Sequence, residues 1–591
     1  MIYDGRCGFC RIWIEYWKGL TGDAIDYAAS QEVGDRFPQI PPGAFAESVQ
    51  LVRTDGTVAS GARAVFEALG RQRLYESSRA LRWALEAGYR FIARRRSFFY
   101  QVTRFTFGTR IEPPSFHLTQ WIFLRALAAI FMIAFASLGE QALGLIGERG
   151  ISPAHDYLAR IASSFGPMRY VALPTVFWWD SGDRALQSAA AIGVAMAALA
   201  LFGRLERLAL LGCYVLYLSF SLAGQEFLTF QWDSLLLEAG FLAIFFGRSG
   251  WGARTIAWLY RLLVFRLYFL SGYVKLGSHD PTWRNLTALD YHFHTQPLPT
   301  VIAWYADKLP RGLLKASTFA TLAIELATPF LIFAPRRLRL AGAWLMIALQ
   351  VLIFLTGNYT FFNLLTIALI LFLFDDRDFA WLNRFGKPKG EPPRASRPAR
   401  AGLALLTALL LILGVTRIVE SIEGAAPEPL ETLGRFAAPW QIVNTYGLFA
   451  VMTTTRPEII VQGSEDGETW YSYEFKYKPG DLHRAPRWVQ PFQPRLDWQM
   501  WFAALGSYQS NPWFVGFALR LLLGSRDVQA LLATNPFPAH PPKFVRAELY
   551  EYSFTSFEER RQTGNWWKRE PTGEYLPAIG LKEQAQERNS K

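Results

Sequence analysis

Apolar positions in this chain follow two regimes. Between residues 118 and 417 they gather into continuous runs, whereas before and after that stretch they alternate with polar residues at helix and strand spacings. Nine runs are expected to form membrane spans, at 118–138, 184–202, 208–224, 234–248, 256–276, 313–334, 340–356, 360–374 and 401–417. The fourth and eighth are short for a full crossing, so a tilted or paired arrangement is expected there. Residues 1–110 read as strand (Met1–Tyr3), helix to about Leu20, strand (Ala24–Ala28), hairpin (Ser48–Val52 and Thr57–Ala59 around Thr54-Asp55-Gly56) and helices Ala62–Leu69 and Ser78–Ala93. Residues 418–591 read as strands Glu458–Val461, Trp470–Tyr477 and Val545–Phe554 with helices Arg495–Gly506 and Pro512–Leu523. The expected fold is a polytopic α-helical membrane protein of about nine spans. An N-terminal thioredoxin-like α/β domain (1–110) precedes the core (118–417), and a β-rich α+β exported domain (418–591) follows it.

Charge orients the spans. The chain has 591 residues, 51% of them hydrophobic, and a net charge of +12. In a soluble protein that charge would suggest nucleic acid, but no stacking platform or nucleic-acid motif accompanies it, so no nucleic-acid partner is expected. The arginines instead cluster between apolar runs, at Arg204–Arg207, Arg248–Arg254, Arg336–Arg339 and Arg377–Arg400, while loops 225–233 and 357–359 carry no Arg or Lys. A basic block, Arg94 to Arg110, also precedes the first run. The positive-inside rule then predicts a cytoplasmic N-terminus, a cytoplasmic linker at 383–400 and an exported C-terminus. The polar first residues do not read as a cleavable signal, so the first apolar run is expected to direct insertion. No disulfide framework is available beyond residue 213, because the cysteines are Cys7, Cys10 and Cys213.

Candidate chemistry begins with Asp4-Gly-Arg-Cys7-Gly-Phe-Cys10. A cysteine at a helix N-terminus lies in the positive end of the dipole, which favours the nucleophilic thiolate, and a second cysteine one turn on is placed to resolve a mixed disulfide. The other readings are half of a zinc site or two inert thiols, and no nearby Cys or His completes a zinc set. Tyr3-Asp4-Gly5-x-Cys7-x-x-Cys10, the Val-x-Thr-Asp-Gly turn and Tyr89–Arg96 resemble the DCC family of thiol-disulfide oxidoreductases over the first hundred residues. That resemblance implies redox work by Cys7 and Cys10 in a motif with Asp4. The strand before Tyr3 is shorter than the family's.

Further along, Phe227–Glu238 (with Gln231, Trp232 and Asp233), Tyr291–Pro299 (with His292, His294 and Gln296), Trp304-Tyr305 and Asn444-Thr-Tyr446-Gly-Leu-Phe449 form unusual blocks. Gly463–Trp470 and Pro491–Trp501 (with Arg495, Asp497 and Trp498) continue the series. Together they resemble the lipase maturation factor family from about residue 118 to near the C-terminus. The resemblance implies a membrane protein whose exported side holds a folding client, a lipase in the animal members. The fused thiol head suggests a bacterial inner membrane. Tyr268–Leu276 with Lys275, followed by Trp283, is also similar to the lysine-bearing span of vitamin K-dependent γ-carboxylase and its relatives. That likeness implies a lysine base and a quinone cofactor. The alternative for Lys275 is a side chain snorkelling to the outer interface.

The remaining charges read as structural. Arg125, Arg266, Glu238 and Glu325 lie inside apolar runs and must pair or line a cavity, and pairing, as Arg266–Glu325 or Arg125–Glu238, is expected over a proton path. Asp233 is placed to cap the helix that follows it. His292 and His294 alternate on an extended segment and so share a face, but a third metal ligand is missing, so no metal is expected. Pro297 and Pro299 keep that loop out of helix. Arg495 and Asp497 are expected to pair with each other. Three functions follow as expectations: a maturation factor for exported proteins, a thiol- or quinone-linked oxidoreductase, and a carboxylase-type enzyme using Lys275. Since the cysteine head is expected in the cytosol, it cannot itself oxidise an exported client.

Overall fold

The computed structural model describes residues 1–109, 111, 114–246, 252–382 and 396–581. Arg110, Arg248, most of the 383–400 linker and the last ten residues lie outside them. The chain divides into two compact units, one of Met1–Ser115 with Phe333–Gly342, the other of Phe116–Ile332 with Ala343–Lys591.

The first unit carries a four-stranded sheet in the order β2-β1-β3-β4, with β1 (Ile2–Tyr3) parallel to β2 (Ala28–Ala29) and antiparallel to β3 (Gln50–Val52), and β3 antiparallel to β4 (Val58–Ser60). The hairpin closes as its residues dictate. Gly56 takes a left-handed φ of 82°, and the Asp55 carboxylate accepts the Thr57 N–H at 2.9 Å. Helices α1 (Gly8–Thr21), α2 (Gly61–Ala68), α3 (Arg79–Arg94) and α4 (Arg96–Thr106) are the longer helices of residues 1–115, and Ser78 caps α3 by accepting from Leu81 N at 3.1 Å. Ile14, Leu51, Ala59 and Ala64 pack as its core. The expected strand Ala24–Ala28 is cut to two residues because Gly22–Ala24 continues the preceding helix as a 3-10 turn.

In the second unit, a helix stands at each of the nine apolar runs: α5 (His117–Ile146), α6 (Asp183–Leu201), α7 (Glu206–Ala223), α8 (Gln231–Ile244), α9 (Ala253–Gly277), α10 (Arg311–Leu331), α11 (Arg336–Thr356), α12 (Phe362–Ile370) and α13 (Arg397–Glu423), the first turns of α11 belonging to the first unit. Five of these, α5, α6, α7, α11 and α13, are long and apolar enough to cross a membrane. Helices α8 and α12 are short, and α9 carries Arg254, Arg261, Arg266 and Lys275 along its length. The Asp376 carboxylate closes the start of α5, accepting the N–H groups of His117 and Leu118 at 2.8 Å each and of Thr119 at 3.1 Å.

The loop after α9 departs from expectation. It folds into short helices at Pro281–Arg284, Leu289–Thr295 and Val301–Ala306, and residues 296–300, which hold both prolines, stay out of helix. Pro297 and Pro299 therefore restrict that part but not its flanks. His292 and His294 fall on a helix, so two residues apart they diverge and do not share a face. Beyond α13, four antiparallel strands form a sheet in the order β10-β9-β5-β6: β5 (Pro457–Ser464), β6 (Tyr471–Ser472), β9 (Phe544–Phe554) and β10 (Trp567–Gly580). Strands β7 (Glu474–Phe475) and β8 (Leu532–Thr534) make a separate pair. Helices α14 (Arg495–Ala504) and α15 (Pro512–Leu522) lie between strands in sequence. Strand β10, at 14 residues, was not expected, since charges and a Pro-Thr-Gly step interrupt its alternation and most of its positions are exposed.

Candidate functional site

Two sets of polar residues invite a functional reading. The first lies in the sheet-containing unit. Cys7 is the N-cap of α1, and its sulfur accepts the Cys10 N–H at 3.3 Å. Both thiols are half-buried. The Cys10 thiol hydrogen bond, helped by that backbone N–H and the charge of Arg96, outweighs burial and brings the Cys7 thiol down to about 6. The same hydrogen bond and burial push Cys10 well up. One thiol is thus readied as nucleophile and the other stays protonated. Asp4 forms no hydrogen bond to either sulfur. It accepts Arg6 N at 3.0 Å and Gln31 Nε2 at 2.9 Å, fixing the turn, and its charge slightly opposes the Cys7 thiolate. A cavity of about 390 Å³ opens beside Cys10, walled by Phe9, Trp13, Trp17, Leu85 and Ile92.

The second set is buried in the other unit, where nearly all the motif residues meet. Arg495, fully buried at the start of α14, donates to both Asp233 oxygens (2.9 and 3.1 Å), to Phe227 O at 2.6 Å and to Tyr217 OH at 3.2 Å. Its own N–H donates to Gln141 Oε1 at 2.9 Å. Arg495 therefore pairs with Asp233, 262 positions away in sequence, and not with Asp497. Asp497 instead accepts the N–H groups of Tyr477 and Lys478 at 2.8 Å each, and burial pushes its carboxyl up. Asp233 does not cap α8, because it sits inside the helix and faces Arg495. Beside this pair, the Trp232 ring lies 4.7 Å from Trp498 and stacks on Phe230 at 4.6 Å.

Glu238 of α8 is a second node. It binds Arg266, accepts Asn444 N at 2.9 Å and Tyr446 OH at 2.8 Å, while Gln231 Oε1 accepts Gly447 N at 3.1 Å. The ion pairs inside the apolar runs accordingly differ from those expected: Arg266–Glu238, Arg125–Glu206 at 2.7 Å and Lys275–Glu325 at 2.8 Å. Sequence periodicity places charges along each helix but not which helices face one another. Lys275 does not snorkel to an interface. It is buried, bonded to Glu325 and to Ser271 O at 3.1 Å, with the Trp283 ring 5.3 Å away.

The loop after α9 is the third node. Gln296 Nε2 donates to Thr356 O and Tyr359 OH donates to Gln296 Oε1, both at 3.0 Å. The approach is so close that a Cβ on Gly357 would lie 2.1 Å from Gln296 Oε1. His292 Nε2 lies 3.4 Å from Tyr359 OH, and burial, with the charge of Lys275, drives its pKa to about 4, so it stays neutral near pH 7. His294 Nδ1 meets Asp307 at 2.8 Å. Arg456, fully buried, gathers the loop by donating to the carbonyls of His294, Gln296 and Pro297, and Trp501 Nε1 donates to Thr295 O at 2.8 Å. Asn358 donates to Leu298 O at 3.0 Å and to Arg487 O at 2.8 Å, and accepts Val489 N at 2.7 Å.

Arg456, Asn358 and Asp280, whose Oδ2 accepts Met452 N at 2.6 Å, were not singled out by sequence reasoning. Each lies among polar and turn-forming residues, Thr-Thr-Arg456-Pro-Glu, Gly-Asn358-Tyr-Thr and Ser-His-Asp280-Pro-Thr, so no local pattern marked it. Among the described residues, no three His, Cys, Asp or Glu side chains converge as a metal site. What the second set does chemically is join: each node ties a helical segment of 217–359 to the chain beyond residue 440.

The sequence matches two family models, the lipase maturation factor transmembrane domain over residues 118–381 and the lipase maturation factor C-terminal domain over 442–577. Lipase maturation factor 2 of Gallus gallus is 36% identical, over 80% of this chain and 82% of that protein. Its counterpart in Homo sapiens is 36% identical, over 78% of this chain and 83% of that protein. Lipase maturation factor 1 of Bos taurus is 34% identical, over 80% and 90% respectively. No solved structure matches the chain.

Proposed function

Because this chain belongs to the lipase maturation factor family and is an integral membrane protein, we propose that it is a membrane-embedded maturation factor for exported lipases. One observation carries the reading. Most of the blocks that resemble the family are taken up in joining the apolar helices to the C-terminal domain, which supports a platform that holds another protein. By the arginine distribution, the platform's C-terminal domain lies on the exported side and the thiol-bearing head in the cytoplasm. The nine helices of the second unit are read as nine crossings, with α8 and α12 short. The test is coexpression with an exported lipase. Deleting the chain should lower the specific activity of the secreted enzyme while its amount of precursor stays constant. Unchanged specific activity, with no lipase crosslinked to the C-terminal domain, sinks the reading.

A second activity rests on Cys7. Its N-cap position, lowered pKa and resolving neighbour support a dithiol–disulfide exchange centre in a thioredoxin-like, DCC-type head. The Cys7 thiolate would attack a substrate disulfide, and Cys10 would displace it, leaving a Cys7–Cys10 disulfide and a reduced substrate. The apolar cavity beside Cys10 suits a substrate segment with an apolar side chain. Stoichiometric disulfide formation in the purified full chain, lost in Cys7→Ser, tests it. A pair that stays reduced against an excess of disulfide overturns it.

A further inference from the structure

Helices α3 and α4 expose an apolar stripe that the fold of the first unit does not use. On α3, Trp83 and Phe91 (with Ala87 between them at i+4) are 72% and 52% exposed. On α4, Phe98, Val102 and Phe105 follow at i, i+4 and i+7, and the two phenylalanines are 60% and 69% exposed. Phe99 links the two stripes, with ring centroids 5.9 Å from Phe91 and 5.3 Å from Phe98. The inner face of α3 is occupied separately, by Tyr89 packed on the core and by Leu85 and Ile92 on the cavity wall.

The same segment is strongly basic. Residues 79–106 hold seven arginines and one acid, Glu86. That acid is turned inward, accepting Tyr75 OH at 2.8 Å and Arg63 N at 3.1 Å. Arg95 lies 4.3 Å over the Phe91 ring, so cation and aromatic share one surface. The stripe also ends at a membrane helix: Arg337, at the start of α11, donates to Phe105 O at 3.4 Å, and α11 is one of the five helices long and apolar enough to cross. Only residues 107–116 separate α4 from α5, another of the five.

We propose that α3 and α4 form a lipid-docking face that lays the head on an anionic membrane surface, with the five apolar side chains among the acyl chains and the arginines at the phosphates. An amphipathic, arginine-rich helix pair with Trp and Phe on its apolar side is the chemistry such a surface binds. A protein partner would need an acidic, aromatic-accepting groove. A bilayer needs no such groove, and the start of α11, bonded to Phe105 O, and the short step in sequence to α5 favour it.

The experiment uses the full chain in nanodiscs, with p-benzoylphenylalanine replacing Phe98 or Phe105, and Leu74 as an exposed control away from the stripe. Irradiation in phosphatidylglycerol discs should give phospholipid adducts at 98 and 105 and about tenfold fewer at 74, with the yield falling in pure phosphatidylcholine. An Arg94→Glu/Arg95→Glu variant, its head shown intact by unchanged Cys7 alkylation, should lose most of the adducts at 98. Equal yields at all three positions, crosslinks to protein in place of lipid, or full yield in the double variant would overturn the proposal.

Discussion

Cys7 and Arg495 both stand at the first turn of a helix, and each carries the reactive or charged group of its surroundings. Their fates are opposite. Cys7 is half-exposed, its sulfur held by the next turn and lowered toward thiolate, with a cavity at hand. Arg495 is fully buried, with guanidinium hydrogen bonds to three residues from two other helices and a loop. A cation at a helix N-terminus opposes the dipole, yet the two oxygens of Asp233 outweigh that. In the head, polar chemistry is left accessible and can act on another molecule. In the membrane-helix unit it is spent within the protein, where its measurable effect is stability.

Removing Arg495 should therefore have the largest effect of any change here. Arg495→Leu leaves the Asp233 carboxylate buried without its partner, a cost of about 3–5 kcal/mol. The expected result is a large fall in the melting temperature of the solubilised protein, or loss of folded protein on size-exclusion chromatography. Arg495→Leu/Asp233→Leu removes both charges and should recover most of the loss. A single variant as stable as the parent would break the contrast with the head.

Lys275 and Glu325 sharpen it next. Each single apolar substitution strands one buried charge, at about 3 kcal/mol. Lys275→Met/Glu325→Leu should cost much less than the sum, a coupling readable in a double-mutant thermal-stability cycle. If the double variant is stable but lipase maturation is lost, Lys275 acts beyond the ion pair. Normal maturation places the lysine wholly in the architecture.

Much of this was legible in the sequence, and the gaps have a common cause. The runs of Leu, Ile, Phe and Ala marked all nine core helices because apolar length is a local property. The Thr54-Asp55-Gly56 turn and Cys7 at the head of α1 were readable for the same reason. The pairings were not. Arg495 with Asp233 and Arg266 with Glu238 depend on which helices are neighbours, and a charge pattern along one helix is silent on that. His292 and His294 were misjudged because the nearby prolines dominated the local reading, whereas Ala288 to Thr295 satisfies its hydrogen bonds as a helix turn. Arg456 pairs with nearby Glu458 at 2.8 Å, but its link to the loop lay hidden because there its partners are backbone carbonyls, which every sequence has.

The head carries a thiol that responds to pH close to neutrality. The Cys7 thiol, brought down to about 6, is protonated below that pH and thiolate above it. Iodoacetamide labelling of Cys7 should rise with a midpoint near pH 6 and be almost complete at neutrality, while Cys10, pushed well up, stays unlabelled across that range. In Cys10→Ser, Cys7 loses the sulfur partner that contributes most to the shift, so its midpoint should move upward. A Cys7 midpoint in the ordinary range of a free cysteine would remove the nucleophile from the head.

The smallest effect comes from one substitution made in both units. Trp501→Phe keeps the ring packed against Phe502, with centroids now 5.0 Å apart, but removes the N–H that donates to Thr295 O at 2.8 Å. A lost neutral hydrogen bond inside the protein costs about 1 kcal/mol. Trp83→Phe on the exposed stripe alters a ring that is 72% exposed, and should change stability by less than about 0.5 kcal/mol. The measurement is the pair of melting-temperature shifts, read on the same preparation. A drop for Trp501→Phe alone is the expected outcome. Equal shifts would mean that the loop holding Thr295 is not fixed by this bond, and that the joint between the helices and the C-terminal domain rests on its ion pairs alone.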